Sequence, residues 1–87
     1  MSFKMKGYIV KGASTKIAQE RARVFRNVPF PKEFREYINK VRELEGKILD
    51  IEFESDDRVL VKYPAPIKEN GLNIVGLSIE SKYVMIL

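Results

Sequence analysis

Two periodicities alternate along this chain. Residues 3–11 alternate in pairs, with Phe3, Met5 and Ile9 on one side and Lys4, Lys6, Tyr8 and Val10 on the other, which predicts a strand. Gly12 to Thr15 reads as a turn. Residues 16–28 fit two descriptions. As a helix they gather Ile17, Ala18, Ala22, Val24, Phe25 and Val28 on one broad face, with Ser14 as N-cap. As a strand they set Ala22, Val24 and Val28 against Arg21, Arg23 and Phe25. Pro29 and Pro31 then hold Val28 and Phe30 extended, and Pro31 suits the first turn of a helix. The helix that follows, about 32–45, is the clearest element. Phe34, Tyr37, Ile38, Val41 and Leu44 form an apolar stripe, and Gly46 is the expected left-handed stop.

The second half is all strand pattern. Residues 47–54 predict a strand with Leu49, Ile51 and Phe53 inward and Asp50, Glu52 and Glu54 outward. Ser55-Asp56-Asp57 predicts a hairpin turn, and residues 58–63 a returning strand with Val59, Val61 and Tyr63 on one face. Pro64 and Pro66 are expected to end that ladder, since neither can donate to it. Asn70-Gly71 is a second turn, residues 72–79 a further strand, and residues 83–87 a last one, expected either in the middle of the sheet or in a dimer seam. The fold class is therefore α+β. One domain over residues 1–87 carries a small, mainly antiparallel sheet of about five to six strands, the helix at 32–45 and an open choice at 16–28.

Composition narrows the chemistry. There is no Cys and no His, which removes disulfides, thiolate nucleophiles, the usual zinc ligands and the commonest general base. Ser-His-Asp and Cys-His mechanisms cannot be built from this chain. The acidic row Asp50, Glu52, Glu54, Asp56 and Asp57 lacks the loop spacing of a calcium site and reads as the wet side of a sheet. Glu33, Glu36, Glu43 and Glu45 read as surface ion-pair partners on a helix. The five glycines form neither a P-loop nor a dinucleotide fingerprint. The expectation is a protein that is not an enzyme, with no cofactor and no metal. The mix of Lys, Glu, Arg, Ile and Val with a single Gln leans toward thermophile composition. No apolar run approaches a membrane span, and the N-terminal stretch does not read as a signal peptide, so a cytoplasmic location is expected.

Charge is uneven. Residues 1–32 hold eight basic residues against Glu20 alone, a balance of +7, whereas residues 33–87 hold eight basic and eleven acidic residues, a balance of −3. A basic first third points to an anionic partner or to self-association of opposite faces. Lys11, Lys16, Arg21, Arg23 and Arg26, with Phe25 and Phe30 nearby, are the candidate nucleic-acid contacts, because phosphates select Lys and Arg and aromatic rings stack on bases.

The stretch Phe30-Pro31-Lys32-Glu33-Phe34-Arg35, followed by Glu45-Gly46-Lys47, an acidic alternating strand and Arg58-Val59-Leu60-Val61-Lys62-Tyr63, resembles the SpoVT/AbrB/MazE-like regulators over about residues 21–64. That family has a strand ending at an apolar-Pro step, a short helix, a Gly step and an acidic hairpin. The resemblance implies a swapped-hairpin dimer that binds DNA as a transcriptional regulator or antitoxin. It would place Arg21, Arg23 and Arg26 on the strand before the Pro step and make residues 3–28 a long hairpin. The gap before that step is longer here, the helix is longer, and the last ~23 residues have no counterpart in the minimal domain. A helix at 16–28 would remove the hairpin on which this reading depends. The expected function is DNA binding by a homo-oligomer. The alternative is a protein-interaction module (an accessory, viral or mobile-element protein) that pairs through exposed strands.

Overall fold

The computed structural model describes residues 5–26 and 28–87. The elements run β1 (Met5–Ile9), α1 (Ala13–Val24), α2 (Lys32–Leu44), β2 (Leu49–Phe53), β3 (Arg58–Glu69), β4 (Leu72–Glu80), a 3-10 turn (Ser81–Tyr83) and β5 (Val84–Ile86). Five strands form one sheet in the order β4-β3-β2-β1-β5, with every neighbouring pair antiparallel. The expected α+β architecture is what forms. Phe3 and Lys4 of the first expected strand, and Asn27 of the ambiguous segment, lie outside the described residues.

The sheet residues that face the helices are Ile9, Ile51, Val59, Val61, Leu77 and Ile79, all buried, and Ala13, Val41 and Leu44 close over them from the two helices. Each fully buried aliphatic of this kind contributes about 1.5–3 kcal/mol. The opposite sheet face is charged. Lys6 sits directly across from Asp50 and pairs with it at 2.9 Å, and Lys62 reaches Glu52 at 3.1 Å. The outward acids of β2 therefore lie against lysines of the neighbouring strands.

The segment left open by pattern is helical as far as Val24. Among the described residues no strand forms between Arg21 and Val28, so the second arm of the hairpin that the resemblance implied is not seen there. The helical face won because Ala13 and Ile17 have a core to enter, while a strand there would have no neighbour on the β1 side: β1 lies between β2 and β5. Ser14 is not the N-cap. It is the second residue of α1, buried, and the cap position is Gly12. The capping acceptor comes from the end of the other helix. Glu45 accepts from the Gly12 N–H at 2.8 Å and from the Ser14 N–H at 3.0 Å. Beside it the Gly46 N–H donates to the Ile9 carbonyl at 2.8 Å, with Gly46 in the left-handed region at φ 78. One carboxylate and one backbone bond thus join the end of β1, the start of α1 and the end of α2.

Three further expectations change. Pro64 and Pro66 do not end β3, which runs on to Glu69. Its ladder with β2 stops at Val61, so beyond that point β3 has one free edge where missing N–H groups cost nothing, and the register with β4 slips between Lys62 and Ile67. The ribbon closes at Asn70-Gly71, both at positive φ (51 and 79), the two-residue type I′ hairpin that the dipeptide announced. Phe53, expected inward, is 53% exposed although it shares the inner face. The last strand is not central: β5 is three residues long and lies at the sheet edge against β1. No helix among the described residues is long and apolar enough to cross a membrane.

The Glu45 junction sets a pH dependence. Burial by itself raises the Glu45 carboxyl, but hydrogen bonds from Ser14 and Gly12, with Arg42 nearby, more than offset this and hold it below its ordinary 4.5. A depressed folded-state value means the stabilisation is complete above the ordinary carboxylate value and disappears as pH falls through the depressed one. Glu45→Ala should cost about 1–3 kcal/mol at pH 7, and Glu45→Gln, which keeps one acceptor, less. Urea denaturation of the wild type and Glu45→Ala at pH 7 and pH 3 should show the gap narrowing at the lower pH.

Candidate functional site

α1 arranges the candidate cations. Each helical residue turns by about 100°, so Lys16 and Arg23, seven apart, share a face, while Arg21 and Arg23 point to nearly opposite sides. The helix thus separates two arginines that a strand would have put in one row. Lys11 lies in the turn before α1 and Arg26 just after its end, and all five cations are exposed. None of Lys11, Lys16, Arg21, Arg23 and Arg26 enters an ion pair among the described residues, whereas Lys6, Lys32, Lys40, Lys62 and Lys82 each have a carboxylate partner within 4.0 Å.

Arg21 has a different environment. Its guanidinium lies over the Phe34 ring, 4.9 Å from the centroid, and 5.7 Å from that of Phe25. Phe34 meets Phe30 edge-on at 4.9 Å and stacks on Tyr37 at 6.4 Å. These half-buried rings form an apolar wall between the helices. Below it opens a cavity of about 240 Å³ between Arg21 and Ile17 of α1, Phe34 and Tyr37 of α2, and Arg58 of β3. Glu80 and Tyr83 line its far side.

Hydrogen bonds fix this cavity. The Tyr37 hydroxyl donates to the Ser78 carbonyl at 2.7 Å, which ties α2 to the outer strand β4. Arg58 Nε donates to Ser78 Oγ at 3.1 Å, and the Ser78 hydroxyl donates to Glu54. Burial pushes the Tyr37 phenol above its usual value, and the positive charges of Arg58 and Arg21 oppose that rise. The Tyr83 hydroxyl is buried and makes no hydrogen bond of good geometry, yet it lies close enough to Glu20 to be the largest influence holding that carboxylate low, followed by Lys82. Lys82 reaches Glu20 at 3.3 Å and Glu80 at 3.5 Å.

Sequence pattern placed the α1 cations in one list and could not sort them. It also passed over Arg58 and Tyr37, one read as a strand residue and the other as part of a core stripe. No local signal marks either, because the cavity exists only where α2 crosses the β3–β4 edge. No family model matches this chain, and comparison with curated proteins and with solved structures likewise found no match.

Tyr37→Phe removes the bond to Ser78 while keeping the ring. It should cost about 0.5–1.5 kcal/mol in thermal or urea unfolding and leave the circular dichroism spectrum unchanged.

Proposed function

We propose that the protein is a non-enzymatic nucleic-acid-binding domain that grips the DNA phosphate backbone with the outer side of α1 and the turns at its two ends. One observation carries this reading. Lys11, Lys16, Arg23 and Arg26 are exposed cations on α1 and in the turns at its ends with no ion pair among the described residues, whereas Lys6 and Lys62 of the sheet are paired with Asp50 and Glu52 of the neighbouring strand. Lys16 and Arg23 are ~10 Å apart along the helix axis, a separation that lets them meet different phosphates of one backbone. Cations left unpaired on one face are free to release counterions from a polyanion. The chemistry is phosphate neutralisation with limited base readout, and the missing Cys and His support a binding role over a catalytic one.

Fluorescence anisotropy with duplex and single-stranded DNA across a salt series tests it. Affinity should fall steeply with salt. Each of Lys11→Ala, Lys16→Ala, Arg23→Ala and Arg26→Ala should weaken binding and, where the side chain meets a phosphate, reduce the log–log salt slope on duplex by about 0.9. A slope unchanged in the fourfold variant, or no binding at low salt, would overturn the proposal.

A second reading rests on β5. Its outer edge is the end of the sheet, and Met85, Ile86 and Leu87 beside it are exposed. An open apolar edge is a template for strand addition, and a second copy of this chain is its simplest occupant. Light scattering should then show an oligomer that Met85→Lys or Ile86→Lys returns to monomer, with or without DNA present; a wild-type monomer at all concentrations removes this reading.

A further inference from the structure

Arg21 is the cation that the phosphate-backbone reading leaves unused. It stands at the junction of two hollows. One is the cavity of about 240 Å³ floored by Tyr37 and Arg58. The other, of similar volume, opens outward and is walled by Arg21, Phe25, Pro31, Glu33 and Phe34. The two share Arg21 and Phe34 as a common wall, and a ligand spanning both would fill a volume in the range of small-ligand sites, which runs from ~300 Å³ upward.

Their chemistry differs. The inner hollow carries two guanidinium groups, Arg21 and Arg58, on a lining that is otherwise mixed polar and apolar. Arg21 makes no hydrogen bond or ion pair among the described residues, so its donors are free, while its guanidinium lies over the rings of Phe34 and Phe25. Arg58 contributes the second guanidinium, steadied through Nε by Ser78. Two forked donors at one cavity are the arrangement that recognises a phosphate dianion. The one carboxylate on the inner wall, Glu80, is paired with Lys82 at 3.5 Å. The outer hollow is mostly apolar, with the parts of Phe25 and Phe34 not covered by Arg21 offering ring surface for a planar group and Glu33 a hydrogen-bond acceptor in its lining.

We propose that this cleft binds a nucleoside 5′-phosphate, with the phosphate between Arg21 and Arg58 and the base against Phe25 and Phe34. The group could be carried by a free mononucleotide or by the 5′ end of a nucleic-acid strand. Only the strand-end source rests on the nucleic-acid reading given above. The mononucleotide source stands without it.

Titration of the ¹⁵N-labelled protein with AMP, inorganic phosphate and adenosine tests the cleft. AMP should give saturable shifts at the Arg21, Phe34 and Tyr37 amides and bind at least tenfold more tightly than phosphate or adenosine. Arg21→Gln and Arg58→Gln should each weaken AMP at least tenfold. Arg21→Lys, which keeps the charge but not the fork, should not restore it. Thermal melts check that the variants fold, and Arg58→Gln decides the matter if Arg21 variants do not. The absence of saturable shifts with AMP, or AMP affinity unchanged in folded Arg58→Gln, would overturn the proposal. A 5′-phosphorylated oligonucleotide compared with its 5′-hydroxyl twin identifies the source. A preference for the phosphorylated strand that vanishes in Arg21→Gln supports the strand end, and AMP binding without that preference supports the free nucleotide. The salt slope of general DNA binding reports the α1 face separately, so failure of one leaves the other standing.

Discussion

A single carboxylate ties the start of one helix to the end of the other, beside the backbone bond that joins them to the sheet. Glu45 ends α2 and accepts from two backbone N–H groups at the start of α1, and the next residue bonds to the last residue of β1. The first turn of any helix carries orphan donors and the positive end of its dipole. Here neither Gly12 nor Ser14 answers them from its own side chain. A residue thirty-three positions from Gly12 does. That makes the placement of α1 conditional on the placement of α2, and it sets the angle from which α1 presents its cations and brings Arg21 against the rings of Phe25 and Phe34.

The two arginine environments follow from that placement. Arg23 and Lys16 share an exposed face and enter no ion pair among the described residues, while Arg21, on nearly the opposite side of the same helix, meets the rings of Phe25 and Phe34. A guanidinium against aromatic faces keeps its edge donors for another partner. At the far wall, Tyr37 and Arg58 meet at Ser78, so the edge strand β4, the helix α2 and the cavity share one hydrogen-bonded residue. Lys6 and Lys62 are spent on cross-strand pairs and Lys40 on a pair with Glu69 of β3, whereas none of the α1 cations enters an ion pair among the described residues.

Much of the architecture was legible in local pattern because local physics decides it. The stripe Phe34, Tyr37, Ile38, Val41 and Leu44 is helical in any context that buries it, and Gly46 stops it in the left-handed region. Asn70-Gly71 makes a two-residue turn because both residues tolerate positive φ. The alternation of residues 47–54 marked the strand that forms at Leu49–Phe53, although Phe53 shows that sharing the inner face does not guarantee cover.

What the chain by itself determined was the inventory: an α+β domain without Cys or His, a clear helix, about five to six strand segments and a basic first third. Tertiary structure decided the rest. It made residues 13–24 a helix, since both periodicities fit and only a core neighbour for Ala13 and Ile17 could choose between them. It carried β3 past Pro64 and Pro66, because a proline's missing donor is harmless where β2 has already ended. It put β5 at an edge, a matter of strand order that no local pattern contains. And it sorted five similar cations into an outward row and one ring-held arginine, because the direction of a side chain depends on how its helix is docked, and here that docking is held by Glu45 from the far end of another helix.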